Sequence, residues 1–290
     1  MLKSSYQNLM DKLFKGRKIV IATKHKKEKV ITPLLKKALG LECIVSQDLD
    51  TDVFGTFTGE IERLNDPVET ARLKCLKAME QSGCDMAISN EGSFGLHPTI
   101  FFVHADSEIV LLIDKKNNLE FIVREISTKT NFNGSEIKSY KELQEFAKST
   151  LFPSHGLILR KSKDFKENIY KGITTEKDLK IAYSALMDKY GSVYAETDMR
   201  ALYNPTRMEV IEKAVQKLIT KINTHCPKCN MPGFSITDAK PGLKCENCGL
   251  PTRSTLLHIL SCQSCGFTQE KMNPNGRVSE DPMYCDICNP

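Results

Sequence analysis

Four closely spaced cysteine pairs limit how this chain can fold more than any other feature. Cys226/Cys229, Cys245/Cys248, Cys262/Cys265 and Cys285/Cys288 are all Cys-x-x-Cys pairs, and all fall within residues 226–290. Two intervening residues let both thiolates of a pair point at one ion from a tight turn. Two such turns complete a tetrahedral four-sulfur shell, which suits Zn2+. The chain opens Met-Leu-Lys-Ser-Ser-Tyr, with no apolar stretch behind a basic start. The reading is therefore a cytoplasmic protein, where paired cysteines mean metal rather than disulfides. Gly249 and Gly266, and in the same position Asn230 and Asn289, suit a backbone that curls under the sulfurs. Phe234, Phe267 and Tyr284 are the only Phe or Tyr in this segment. They are too few for a self-sufficient core, so ligation must supply much of the folding free energy. Sequential pairing, with loops of 15 and 19 residues, is the expected arrangement. Nested pairing is its rival, and a rubredoxin-like iron site in the last two pairs is the alternative metal. Closed four-thiolate shells leave no open coordination position, so the two zinc ions are structural. Cys43, Cys75 and Cys84 stand outside the pairs and read as small core residues.

The 290 residues suffice for two domains, and 40% hydrophobic with 27% charged residues is ordinary for a globular chain. The longest apolar run, Ile109 to Ile113, is strand-sized, so no membrane partner is expected. Residues 1–15 read as an amphipathic helix and Lys18–Thr23 as a buried strand. A basic turn follows, then a helix through Leu34, Leu35 and Leu39 closed by Gly40, and a strand over Leu41–Ser46. Asp66 as N-cap and Pro67 at the first helical position start a helix to Ser82. Strands are expected over Asp85–Ser89, Thr99–His104, Glu108–Asp114, Glu120–Ser127 and Leu157–Arg160. Helices are expected over Tyr140–Thr150 and Thr175–Tyr190. A capping box of Thr206 and Glu209 starts a last helix to about Asn223. The resulting fold class is α/β: a mixed sheet with flanking helices, followed by a small C-terminal double zinc-ribbon-like domain. The expected organisation is an α/β domain over 1–205, a connecting helix over 206–225 and a zinc-binding domain over 226–290.

Ligands of open α/β sheets collect beyond the carboxyl ends of the strands. Thr23-Lys24-His25-Lys26 and Asn90-Glu91-Gly92-Ser93 fall at such ends. Glu196, Asp198 and Arg200 form a third polar cluster. Lys24, His25, Lys26, Lys74 and Arg200 are candidates for holding phosphate, and Glu91, Glu196 and Asp198 for catalysis. His97, His104 and His155 read as structural. The net charge of +5 is uneven: between Lys15 and Lys37 there are nine Lys or Arg and one acid, Glu28. Such a segment is either a solvated face or a phosphate or nucleic-acid site.

Ile21-Ala22-Thr23-Lys24-His25, Gly55-Thr56-Phe57, Glu69-Thr70-Ala71-Arg72-Leu73-Lys74 and Glu91-Gly92 resemble the inosine/xanthosine triphosphate pyrophosphatase superfamily over about residues 18–125. The resemblance implies Mg2+-dependent cleavage of a nucleoside triphosphate to monophosphate and pyrophosphate. Glu69 and Glu91 would then help hold Mg2+ and water, and Lys24, Lys26 and Lys74 the phosphates. As a first-turn acid, Glu69 also suits the helix dipole with no ligand. Over nearly the whole chain, the α/β layout, Glu196-Thr197-Asp198-Met199-Arg200, Asn204-Pro205-Thr206-Arg207-Met208 and the cysteine pairs resemble an uncharacterised bacterial family of unknown function. The leading expectation is a Mg2+-dependent nucleotide-phosphate hydrolase with a structural zinc tail, its partner a phosphorylated small molecule or nucleotide. The alternative is a non-catalytic module that binds nucleic acid or protein through Lys228, Lys244 and Arg253.

Overall fold

A computed structural model describes residues 2–46 and 65–290, with side chains from residue 6 onward. Gly55-Thr56-Phe57 lies outside the described residues. Two compact units emerge, Phe14–Leu218 and, separately, Met1–Leu13 with Ile219–Pro290. No helix among the described residues is long and apolar enough to cross a membrane.

The larger unit begins with β1 (Lys18–Ala22), α2 (Glu28–Leu39), β2 (Glu42–Val45), α3 (Pro67–Ser82) and β3 (Met86–Leu96), after a first helix α1 (Leu2–Phe14). β4 (His104–Asp114) and β5 (Leu119–Ser127) complete a five-stranded sheet of order β2-β1-β3-β4-β5. β2, β1 and β3 run parallel, while β4 and β5 are antiparallel. α3 starts as its sequence dictates, with Asp66 accepting from the Val68 and Glu69 amides, and it ends at left-handed Gly83. Its Ala71, Cys75, Ala78 and Met79 pack on Val20, Ala22, Ala87, Leu111 and Ile113, one face of the sheet. Right-handed crossovers running in opposite directions along the sheet put α2 on the other face.

A second sheet has the order β6-β9-β7-β8, from β6 (Gly134–Ile137), β7 (Leu157–Arg160), β8 (Tyr170–Ile173) and β9 (Val193–Thr197). α4 (Tyr140–Ser149) and α5 (Glu176–Tyr190) contribute Leu143, Phe146, Leu179, Ala182 and Leu186 to its core. α6 (Pro205–Ile222) follows.

Four expectations need correction. β3 does not stop at Ser89; it continues through Asn90-Glu91-Gly92-Ser93 because β4 pairs with it along its whole length. Thr99–His104 is not a separate strand, since 99–103 is the turn between β3 and β4. Glu196 and Thr197 end β9, a strand that reading them as part of a polar cluster does not anticipate. Asn204, not Thr206, caps α6: its Oδ1 accepts from the Arg207 amide at 2.9 Å, while Thr206 Oγ1 meets His155 Nε2 at 2.9 Å and Glu209 pairs with Lys129.

In the smaller unit, β10 (Ser235–Pro241), β11 (Thr255–Ser261) and β12 (Thr268–Met272) form an antiparallel meander.

Candidate functional site

The meander decides which cysteines meet. The first pair precedes β10 and the second follows it, so they sit at opposite ends of a seven-residue strand, about 20 Å apart. β11 returns the chain to the first end and leaves the third pair there. β12 carries it back to the second end and the fourth pair. The sulfurs therefore gather as Cys226, Cys229, Cys262 and Cys265, and as Cys245, Cys248, Cys285 and Cys288. Neither sequential nor nested pairing survives; the pairs interleave.

The donor sets fit zinc. Sulfur–sulfur separations are 3.7 Å for Cys226–Cys265, 3.6 Å for Cys229–Cys262, 3.8 Å for Cys245–Cys288 and 3.6 Å for Cys248–Cys285. A tetrahedron with Zn–S arms of about 2.3 Å has edges of about 3.8 Å. Each turn is closed by an amide donating back to the first cysteine's carbonyl, from Asn230, Gly249, Gly266 and Asn289. Asn230, Gly249 and Gly266 take the left-handed backbone this needs, with φ of 65°, 72° and 69°. Asn289, at the fourth turn, does not adopt it.

The second site lies in the larger unit, where β1 stops. β1 pairs with β3 as far as Ala22 opposite Ser89, so the Asn90 carbonyl loses its strand partner. Lys27, in the turn before α2, fills that position with its Nζ 2.8 Å from Asn90 O. On the α3 face, Lys74 Nζ meets Glu91 Oε1 at 2.5 Å, and both are buried. On the opposite face, Asn90 Nδ2 donates to Glu108 Oε2 at 2.8 Å, and Arg207 Nε to Glu108 Oε1 at 2.6 Å. Arg207 also donates to Met199 O at 2.6 Å and lies 5.1 Å from the Phe94 ring centroid. Gly92 leaves room for this pair: a Cβ there would collide with the guanidinium and stand 2.8 Å from Glu108 Oε1. β1 and β3 are the strands from which the connections depart in opposite directions. The charged band therefore occupies the switch point where such sheets bind ligands.

Asp106 stands two residues before Glu108 on the same face of β4, opposite Phe94, and is 1% exposed. Neither of its oxygens receives a hydrogen bond among the described residues. Desolvation first, then the neighbouring Glu108 charge, push its pKa up to about 8. A proton on Asp106 turns the contact with Glu108 into a hydrogen bond. Burial also opposes charge on Glu108, but Arg207, with Lys27 and Asn90, together more than offset it and hold that carboxyl below its ordinary value. Burial lowers Lys27 to about 7.

A raised acid destabilises the fold as it ionises. Relative to an unfolded-state pKa near 3.9, stability is lost as pH rises from about 4 through about 8. Asp106→Asn, which imitates the protonated acid and can donate to Glu108, should remove that decline. Urea titrations of both proteins between pH 5 and pH 9 check it; parallel pH profiles would refute a protonated Asp106.

The other sequence candidates scatter. Lys24 and Lys26 are exposed in the turn after β1, and His25 there is half-buried. Glu69 pairs with Arg72, which also holds Glu120 at 2.8 Å. Five residues along a helix turn a side chain by about 140°, so Glu69 and Lys74 leave α3 on different faces. Glu196 pairs with buried Arg160. Asp198 is buried, accepts from the Gly172 amide at 3.0 Å and pairs with Arg200 at 2.5 Å. Asp198 ties β8 to the 198–204 turn, and the Met199 carbonyl in that turn accepts from Arg207. His155 is buried between Ser154 and Thr206, and burial lowers its pKa. Sequence reading placed Asn90 in a candidate cluster but missed Lys27, Asp106, Glu108 and Arg207 as members of the site. The available signal was a pair of acids at alternate positions leading into the apolar run of β4.

A family model described as "Domain of unknown function (DUF6671)" matches residues 74–290. No curated protein matches. Among solved structures, protein VC0702 from Vibrio cholerae aligns at 10% identity and a TM-score of 0.31, over 71% of this chain and 94% of that one.

Proposed function

The chain belongs to the DUF6671 family, whose description assigns no activity, and we propose from the geometry that it is a Mg2+-dependent nucleotide-phosphate hydrolase with a structural zinc tail. The observation that carries this reading is the buried band of Lys27, Lys74 and Arg207 with Glu91 and Glu108 at the switch point of the sheet. Cations preorganised in a low-dielectric crevice favour a phosphoanhydride. Lys74 and Lys27 hold phosphate oxygens, and the exposed lysines 24 and 26 draw the anion in. No three His, Asp or Glu side chains converge among the described residues; only the cysteines do. That fits the sparse Mg2+ site in which one or two carboxylates share the ion with water and substrate phosphates. Glu91 is the carboxylate so placed. Bound there, Mg2+ would neutralise charge developing on the phosphates. Lys27, lowered to about 7, takes up a proton when a phosphate arrives, so KM should rise as pH climbs above about 7.

Incubation with a panel of nucleoside triphosphates and Mg2+ tests the reading. Pyrophosphate should be released from at least one. Lys74→Met and Glu91→Gln should each lower kcat/KM about 100-fold or more. Release from none of them removes the hydrolase.

The nucleic-acid alternative is weaker on charge. Residues 226–290 hold six Lys or Arg and six Asp or Glu, and each four-thiolate zinc centre adds a residual negative charge. Arg253 is paired with Asp286 and Lys240 with Glu270. In the basic 15–37 segment, Arg17 is committed to Asp114 and Asp85, and Lys27 is buried.

A further inference from the structure

The two ends of the zinc unit share one framework but differ in what covers them. At the first site Phe234 and Phe267 stack with centroids 5.9 Å apart, and Phe234, Cys226 and Cys262 are buried with Leu260 packed against them. Tyr6 of α1 lies 4.3 Å from the His225 ring and donates to the Ile222 carbonyl at 3.3 Å. The second site has no such cover among the described residues. Leu250, Val278, Met283, Tyr284 and Ile287 are between 46% and 77% exposed.

These side chains belong to one patch. The Leu250 carbonyl accepts from the Cys245 amide at 2.8 Å, the position that Met231 and Phe267 take at the first site, where their carbonyls accept from Cys226 and Cys262. Met283 and Tyr284 form the short 3-10 turn before Cys285, and Ile287 sits between Cys285 and Cys288. Val278 lies two residues before Glu280, whose amide donates to Lys244 O at 2.8 Å and whose carbonyl accepts from Glu246 at 3.0 Å. Metal at the second site thus brings Leu250 together with apolar residues of a segment distant in sequence. A contiguous exposed apolar patch marks an interaction surface more often than scattered single residues do.

The rim is acidic. Arg253 pairs with Asp286 at 2.9 Å and Arg277 with Glu280 at 3.0 Å, which leaves Glu246 and Asp281 against Lys244. Four thiolates around Zn2+ add further negative charge beneath. With both arginines paired and the thiolate charge beneath, the rim offers no cationic excess to an anionic lipid surface or a nucleic acid. A two-fold contact between copies would set this acidic rim against itself. We propose that the second zinc end docks a partner protein through a segment that combines apolar anchors with Lys or Arg.

The test titrates the zinc-loaded full chain with a synthetic amphipathic helix of Leu and Lys, and with Leu/Glu and Ser/Lys counterparts, while backbone amide shifts are followed. The Leu/Lys peptide should bind saturably, and shifts should concentrate in residues 244–251 and 277–289. Ile287→Ser and Met283→Ser, each checked to retain two zinc ions, should weaken binding about tenfold or more. Equal binding of the Ser/Lys peptide, or shifts elsewhere, overturns the proposal. So does a concentration-dependent dimer that Ile287→Ser abolishes, because the occupant is then a second copy.

Discussion

Replacing Cys226 and Cys262 together with serine should leave the protein holding one zinc ion. Both cysteines belong to the same four-sulfur group, so the double variant damages one site and spares Cys245, Cys248, Cys285 and Cys288. Under sequential pairing the same two substitutions would fall in different sites and damage both. Cys226→Ser with Cys245→Ser gives the complementary result: both interleaved sites lose a ligand. Zinc content by mass spectrometry under native conditions, or the thiolate charge-transfer band after cobalt substitution, reads the stoichiometry. A Cys226/Cys262 double variant with neither zinc site intact would refute the interleaved arrangement.

The accompanying loss of structure should be large. Ligation in isolated zinc-finger peptides contributes about 10–16 kcal/mol at neutral pH. The buried cluster around the first site consists of Cys226, Phe234 and Cys262, two of them ligands. A chelator under reducing conditions should therefore abolish amide protection over β10, β11 and β12, while the Phe14–Leu218 unit keeps its own protection. A meander that stayed ordered without metal would show that its strands need no ligation.

The sequence discloses that tail unevenly. Ligand identity, turn geometry and the need for metal follow from local spacing and from the shortage of aromatics. Which turns share an ion depends on strand crossings between them. The 15 residues after the first pair include the strand β10, which carries the chain away from it, a long-range fact that loop length does not contain. The same distinction holds in the larger unit. α3 is legible to the residue because its signals are local: Asp66, Pro67 and Gly83. β3 was cut short because Asn90-Glu91-Gly92-Ser93 has the composition of a turn. Its extended form comes from pairing with β4, while Lys74 reaches the Glu91 carboxylate, Glu108 accepts from the Asn90 amide and Lys27 donates to the Asn90 carbonyl, from three other parts of the chain. Buried charges are rare enough that a sequence reading assigns lysines and arginines to the surface. Lys27 accordingly reads as one more residue of a basic turn, and Arg207 as part of a helix start.

Arg207→Met should be among the most damaging single substitutions in the larger unit. It removes the ion pair to Glu108, the hydrogen bond to Met199 O and the cation over Phe94. Glu108, fully buried, would keep Asn90 as its donor among the described residues, with Asp106 beside it. Breaking one side of a buried pair costs about 3–5 kcal/mol, mostly from the uncompensated charge that remains. The double variant Arg207→Met with Glu108→Met removes that charge as well, and should be more stable than Arg207→Met alone. Gly92→Ala should move stability in the same direction as Arg207→Met, because its methyl group would occupy the space the guanidinium crosses. Urea titration of the zinc-loaded chain, with hydrogen exchange of the β3 and β4 amides to localise the loss, measures all three. If Arg207→Met stays within about 1 kcal/mol of the parent, well below that expected range, or the double variant proves worse than the single one, the Arg207–Glu108 pair is not what holds the band of charge together at the end of β1.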